Sequence, residues 1–395
     1  MALYLGLDVG TQGVKAVVYD APSRRIVARG AYPLSLLPTV IPGRAEQHPQ
    51  SWIDGVRSAA RQALAGVDAT RVKAVGVSGQ QHGQASSVGR GQGQQAPLQN
   101  GCDTESAREA EELSAKLGTT LVASFTATKL LWLLRHEPEV YAATRHVLLP
   151  GSYVNYWLTG RMAMEAGDAS GTGIFDVAAR TWDDAAAAAV DTRLPGLLPP
   201  LLGPEEAVGT LRPEAAAELG LGPDVLVSPG SGDNAMSALG SGVTRDGQLV
   251  VSLGTSGTLF GVSGAPIVDA TGAIAPFCDA TGAWLPLVCT LNCTRAAEEA
   301  REAFGLSQEE ATRLAADEEA GCRGVNFIPY LAGERTPNWP NSSGTILGLR
   351  PGLLRGGLLY RAALEGATFS LRAGLERMQA RRLLYFFVAL CWHQG

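Results

Sequence analysis

The chain has 395 residues, 46% of them apolar and 18% charged, with a net charge of −6 at pH 7. That composition excludes a disordered chain and leaves room for two domains with sizeable cores. With no Lys/Arg-rich block, it also excludes the electrostatic footprint of a protein that grips nucleic acid or an anionic membrane, and leaves a small molecule as the expected partner.

In chain order, residues 3–7 and 14–19 are predicted β-strands, aliphatic and β-branched, joined by the tight glycine turn DVGTQG. One carboxylate, Asp8, stands where the core pattern calls for another Val or Leu. A third strand is expected at 25–31, and the stretch EQHPQSWIDGVRSAARQALAG then enters a helix through Pro49 with Trp52, Val56 and Ala60 on one face. Residues 72–78 read as a buried strand ending in SGQQHG, followed by the helices SAREAEELSAKLG and KLLWLLRHEPEVYAATR, the latter with a clear apolar face. A second strand set is expected from Asp224. Within it LVVSLGTSGTLFGVS repeats the opening form of strand, glycine/hydroxyl turn and strand, which implies two related halves divided near 240–246. The last predicted helix is LLYRAALEGATFSLRAGLERM, and it runs into QARRLLYFFVALCWHQG.

The six cysteines are scattered without zinc-site spacing and are expected to be reduced thiols. The N-terminal apolar stretch lacks a basic flank and contains Asp8, so it does not read as a signal peptide. Residues 383–392 are too few to span a bilayer, and a cytoplasmic location is the economical expectation.

Four constellations carry chemistry. A glycine turn between strands brings backbone N–H groups close together without a Cβ in the way, so DVGTQG and LGTSGT in matching contexts favour a nucleotide clamped between two halves over two structural hairpins. Asp8 then reads as a carboxylate that holds Mg²⁺ through water, or else as one capping its own turn. In VSPGSGDNAMSALGSG, Asp233 is either a helix N-cap or a general base for phosphoryl transfer to a hydroxyl. Gln81 and His82 in SGQQHG read either as a pair for sugar hydroxyls or as satisfied structural groups at a strand end. Asp103, in NGCDTES, is a further hydroxyl ligand or the N-cap of the acidic helix after it.

DVGTQGVKA, EQHPQSW, SGQQHG, FTATKLLWL, GSGDNAMSALGSG, SLGTSGTLF and FIPYLAGERTPNWP, in this order, resemble the FGGY carbohydrate kinases over residues 3–377. The resemblance implies an actin-like, ribonuclease-H-like α/β fold, with a sugar-binding domain at 1–242 and a nucleotide-binding domain at 243–395. It implies transfer of the γ-phosphate of ATP, with Mg²⁺, to the terminal hydroxyl of a pentulose. D-xylulose, giving the 5-phosphate, is expected ahead of ribulose or gluconate. The different-class alternative is a catalytically dead fragment that still binds sugar. Carried over by position, Asp233 matches the catalytic base, and Asp8 matches the acidic, metal-holding residue of the first phosphate motif. Gln81 and His82 match the sugar-contacting pair, where Met often replaces Gln81. Asp103 joins them as a sugar ligand, and Asn234 follows the base as in relatives. Gly10, Thr11, Gln12 and Lys15 fall in the first phosphate motif, and Gly254, Thr255 and Ser256 in the second. GERTP reads as architectural, which leaves Glu334 and Arg335 out of catalysis. A homodimer is admitted by the resemblance but read from no residue.

Two stretches depart from the family pattern. Residues 84–101, rich in Gly, Gln and Ser, replace an apolar strand and an aromatic segment, and a shifted reading frame with a poorly packed product is the expectation. Family members also continue for about a hundred residues past this chain's last residue, by ordinary domain size, through a Gly-Gly-Gly adenosine motif. From about residue 379 an aberrant tail is therefore expected, with the second domain incomplete, LLYFFVALCW unpaired, ATP bound weakly and turnover low.

Overall fold

The computed structural model describes residues 2–83, 85–88, 98–269, 271–339, 341–381 and 387–392. The chain divides into two compact units: unit 1 is Met1–Leu239 with Phe277–Gly282, and unit 2 is Gly240–Pro276 with Ala283–Gly395.

In unit 1, β1 (Leu3–Val9), β2 (Gly13–Asp20) and β3 (Arg25–Pro33) form an antiparallel meander. Side chains alternate along β1, so Leu3, Leu5, Leu7 and Val9 are buried together while Tyr4, Gly6 and Asp8 share the opposite face. Asp8 can replace an aliphatic residue because it points away from the core. The buried face meets α1 (Pro49–Leu64), whose first turn takes Pro49 and which buries Trp52, Val56 and Ala60. β4 (Val72–Gly79) lies parallel to β1 on its other side. α2 (Ala107–Leu117) and α3 (Thr126–His136) share a separate cluster around Leu113, Leu130 and Trp132, and α4 (Pro150–Thr159) packs on β4.

Two short strands, β5 (Leu226–Val227) and β6 (Ser231–Gly232), also pair in parallel with β4. The first two strands after Asp224 thus extend the first sheet, and the second set opens only at residue 248. The reason is the backbone requirement of β4, a buried strand whose far edge these segments supply with partners. α5 (Asp233–Gly240) begins at the residue after β6.

In unit 2, β7 (Gln248–Leu253) and β8 (Gly257–Gly261) form a hairpin, and β9 (Leu287–Thr290) adds antiparallel to β8. α6 (Thr294–Ala303) and α7 (Gln308–Ala316) pack against α8 (Gly356–Ala380), which lies on this sheet. α8 buries Leu371 and Met378 against Leu249, Leu259 and Val288, and Tyr360 and Ala363 against alanines of α6 and α7. It is therefore a packed helix along much of its length. β10 (Phe387–Trp392) pairs in parallel with β7 along its whole length. For residues 387–392 the expectation of an unpaired apolar tail fails, since an open strand edge is the natural place for a β-prone segment, while residues 383–386 of that tail lie outside the described residues.

Residues 84–101 are also corrected in part. Ala85–Val88 pairs antiparallel with Thr144–Leu148, and Leu98–Gln99 with Glu46–Gln47. These residues are paired strands, which removes from the shifted-frame idea the support a wholly unpaired segment would lend. Residues 84 and 89–97 lie outside the described residues. Among the described residues, Cys102, Cys278, Cys289, Cys293 and Cys322 are free thiols, and no helix is long and apolar enough to cross a membrane.

Candidate active site

Asp233 sits at the junction of β6 and α5, carried there by the pairing of Ser231 and Gly232 with Ser78 and Gly79 of β4. Asp8 stands one strand further along the same sheet, opposite Ser78 in register, and Ser78 donates its hydroxyl to Asp8 Oδ1 at 3.0 Å. The Asp233 carboxylate reaches solvent, yet protein crowds it closely enough to push its pKa up to about 6. Burial is the largest cause, the Asn234 N–H opposes it, and the negative charge of Asp8 adds to it. Oδ1 of Asp233 accepts from both the backbone N–H (2.8 Å) and the side-chain amide (3.1 Å) of Asn234, so Oδ2 is the oxygen left for a proton.

Gln81 lies against this segment. Its Oε1 accepts from the Asn234 amide at 3.3 Å and its Nε2 donates to the Gly167 carbonyl at 3.4 Å. A Cβ on Gly232 would come within 2.2 Å of the Gln81 amide nitrogen, so glycine lets that side chain cross the strand before Asp233. His82 follows with a left-handed backbone, φ +68°. Its Nδ1 is 2.7 Å from the Gly171 carbonyl oxygen, an acceptor only, so Nδ1 is the donor in that bond. The ring stacks on Phe125 at 5.2 Å and meets Phe277 edge-on at 6.0 Å.

The first glycine turn closes with a Gly10 N–H bond to the Gly13 carbonyl at 3.0 Å. Thr11 donates its hydroxyl to Gln80 Oε1 at 2.6 Å, and its carbonyl accepts from Gln47 at 2.8 Å. Gln12 and Lys15 are exposed, Lys15 directly across from Asp8 on the outward face. In unit 2, Gly254, Thr255 and Ser256 form the turn between β7 and β8, with Thr255 and Ser256 exposed. The carbonyls of Gly254 and Thr255 accept from the N–H groups of Thr294 and Cys293 at the start of α6, each at 3.0 Å.

Asp103 does not join the cluster around Asp233. It is fully buried, with Oδ2 accepting from the Ala45 N–H at 2.7 Å and Oδ1 from the Glu105 N–H at 3.0 Å. Both oxygens are committed to backbone, so it braces a loop instead of presenting a hydroxyl ligand. Nor is it a helix cap, since Ser106 holds that position for α2. Glu334 accepts from the N–H groups of Leu291 and Arg335 and from the Asn292 amide, an architectural part.

Sequence reasoning missed Glu165 and Asp168. Glu165 is buried, and its Oε1 accepts from the Ser231 hydroxyl at 2.9 Å and the Asp168 N–H at 2.5 Å, while Oε2 accepts from the Gly167 N–H at 2.7 Å. It anchors the strand that carries Asp233. Burial pushes its pKa up to about 7 against those three bonds. Asp168, also buried, is raised well above the ordinary range by burial and then by the charges of Glu165 and Asp233. Two carboxylates three residues apart in MEAGDASGT were the available signal. Gln80 and the buried Gln47 were missed as the ties of the first turn, because each stands among polar or glycine neighbours (Glu46 and His48, Gly79 and Gln81) and carries no local signal of its distant partner.

This arrangement can take a proton from a hydroxyl at a carboxylate poised near neutrality. Among the described residues no group of three or more His, Cys, Asp or Glu side chains is placed to hold a metal ion.

The models for the N-terminal and C-terminal domains of the FGGY family of carbohydrate kinases match residues 3–240 and 249–384. A xylulose kinase of Streptomyces rubiginosus is 42% identical over 385 residues, covering 95% of this chain and 76% of its own. One from Haemophilus influenzae is 37% identical over 392 residues, covering 95% of this chain and 79% of its own. The crystal structure of a xylulose kinase from Bifidobacterium adolescentis superposes with a TM-score of 0.84 at 29% identity, over 99% of this chain and 85% of that one. The C-terminal match extends to residue 384, past the expected start of an aberrant tail, and the chain spans 76–79% of the length of the Streptomyces and Haemophilus relatives.

Proposed function

We infer the reaction from one established premise: the chain belongs to the FGGY family of carbohydrate kinases. It phosphorylates D-xylulose with ATP, giving D-xylulose 5-phosphate and ADP. The relatives named xylulose kinase support this choice of sugar, and the observation that carries the chemistry is Asp233, a carboxylate with a pKa of about 6 beside Asn234, Gln81 and Asp8.

In the proposed reaction Oδ2 of Asp233 takes the proton of the 5-hydroxyl. The freed oxygen pair attacks the γ-phosphorus, and the bond to the β–γ bridging oxygen breaks, leaving ADP. Such transfers need mostly positioning and charge stabilisation. Asn234 fixes the unreactive oxygen of the base, while Gln81 and His82 read hydroxyls of the sugar. The Gly10–Gly13 turn of unit 1 and the Gly254–Ser256 turn of unit 2 are, each taken by itself, the phosphate-binding turns proposed here, although the Gly10 and Gly254 N–H groups are already bonded within their own turns. Asp8 suits a magnesium ion whose shell is completed by water and phosphate oxygens, because it is a single outward carboxylate and not part of an all-protein cage. When bound, that ion supplies charge neutralisation for the transferring phosphate.

A panel of D-xylulose, L-ribulose, D-ribulose and gluconate with ATP tests the sugar, and D-xylulose should have the highest kcat/KM. Replacing Asp233 by Ala should cut kcat by about 10²–10⁴ while calorimetric D-xylulose affinity persists. Near-normal turnover by that variant would remove Asp233 from the role of base.

A further inference from the structure

Lys129 breaks three local rules at once. It is fully buried, it carries its ammonium near the N-terminus of α3, where the helix dipole disfavours a cation, and no carboxylate hydrogen-bonds it in the geometry described. Its three donors go instead to three backbone carbonyls from separate segments: Asn100 at 2.6 Å, Ser124 at 2.8 Å and His82 at 3.1 Å. A lysine ammonium has three donors, so the set is complete.

One of those carbonyls belongs to a residue that needs holding. His82 has φ +68°, a left-handed conformation costing a non-glycine residue about 1–3 kcal/mol, which persists only where neighbours over-determine it. The start of α3 supplies them. Thr126 Oγ1 reaches the same His82 carbonyl at 3.4 Å, Lys129 bonds it at 3.1 Å, and Phe125 stacks on the imidazole. On the other side the Gly171 carbonyl accepts from the ring's Nδ1.

We propose that Lys129 is a positioning residue for sugar recognition, holding the His82 carbonyl, and with it the strained backbone that aims the imidazole, while tying the segments of Asn100 and Ser124 to the same point. The inference rests on the reading that His82 contacts the sugar. Lys129 touches no substrate atom and acts through His82.

A double-mutant cycle on the full chain tests it, with calorimetric Kd values for D-xylulose and for a non-hydrolysable ATP analogue. Lys129→Met keeps length and removes all three donors. It should weaken D-xylulose binding about tenfold, by loss of roughly one charge-assisted hydrogen bond's worth of positioning, and leave the analogue's Kd within about twofold. The Lys129→Met/His82→Ala double variant should bind D-xylulose no worse than His82→Ala alone, because both changes act through one side chain. A merely structural role predicts additive losses, or equal losses for sugar and analogue, and either result overturns the proposal. If Lys129→Met does not fold, Thr126→Val removes the weaker bond to the same carbonyl, and its cycle with His82→Ala must be equally non-additive. Unchanged affinity in His82→Ala alone would instead overturn the sugar-contact reading and take this inference with it, whereas weakened but additive binding overturns this inference alone.

Discussion

Asp8 lies in β1 and Asp233 directly follows β6 of the same sheet, and the negative charge of Asp8 helps raise the pKa of Asp233. With Asp233 at about 6, kcat/KM should be flat above neutrality and fall about tenfold per pH unit below 6, since a base must be deprotonated to act. A pH–rate profile between 4.5 and 8.5 checks this, and a limb near 4 would contradict the raised value. Asp168 yields a stability prediction. A carboxyl whose folded pKa lies above its unfolded one binds more protons in the folded state, so stability falls as pH rises from the ordinary Asp value through the raised one. Asp168→Asn removes that loss and should unfold at higher urea than wild type at pH 8, with a smaller difference at pH 5. Asp8 and Asp233 were visible in the sequence because each interrupts an apolar run or follows a glycine turn. Glu165 and Asp168 were not, because their importance comes from Ser231, 66 residues away from Glu165 in the chain and met only in the fold.

At the scale of elements, the closest approach in unit 2 is where α8 crosses the strand Asn326–Ile328. A Cβ on Gly366 would lie 2.0 Å from the Phe327 carbonyl oxygen, a backbone atom that cannot swing aside. Gly366→Ala should therefore destabilise the protein by about 1–3 kcal/mol or more, read as a lower thermal midpoint, while D-xylulose affinity is preserved because every proposed sugar contact lies in unit 1. The periodic elements were legible. β1, β2, α1 and β4 follow from alternation, from Pro49 and from the apolar stripe, which are properties of neighbouring residues. β5, β6 and β10 were misread. Each is a short or ordinary apolar stretch whose partner, β4 or β7, is distant in sequence, and pairing between distant strands leaves no local trace.

For the molecule as a whole, each unit has its own core: β1–β4 with α1 and α4 in one, and β7–β9 with α6–α8 in the other. Because Gln81, His82, Asp233 and Asn234 all belong to unit 1, D-xylulose at a hundred times its Kd should stabilise that unit by about 2.7 kcal/mol. Scanning calorimetry should show the shift in the transition of unit 1, and no shift at saturating sugar would count against binding there. The amino-acid sequence alone determined the two strand–turn–strand motifs and, through the ordered motifs that resemble it, the kinase family; it nominated Asp233 as a candidate base and Gln81 and His82 as a candidate sugar pair, since each lies in a short stretch whose pattern needs only neighbours a few residues away. Only the tertiary structure decided that Asp103 is a buried brace, that residues 387–392 form the edge strand of a sheet, and that Glu165 bonds Ser231 in the strand before Asp233 while Lys129 bonds the His82 carbonyl. Burial and long-range hydrogen bonding are relations between residues brought together by folding, and no single stretch of sequence contains them.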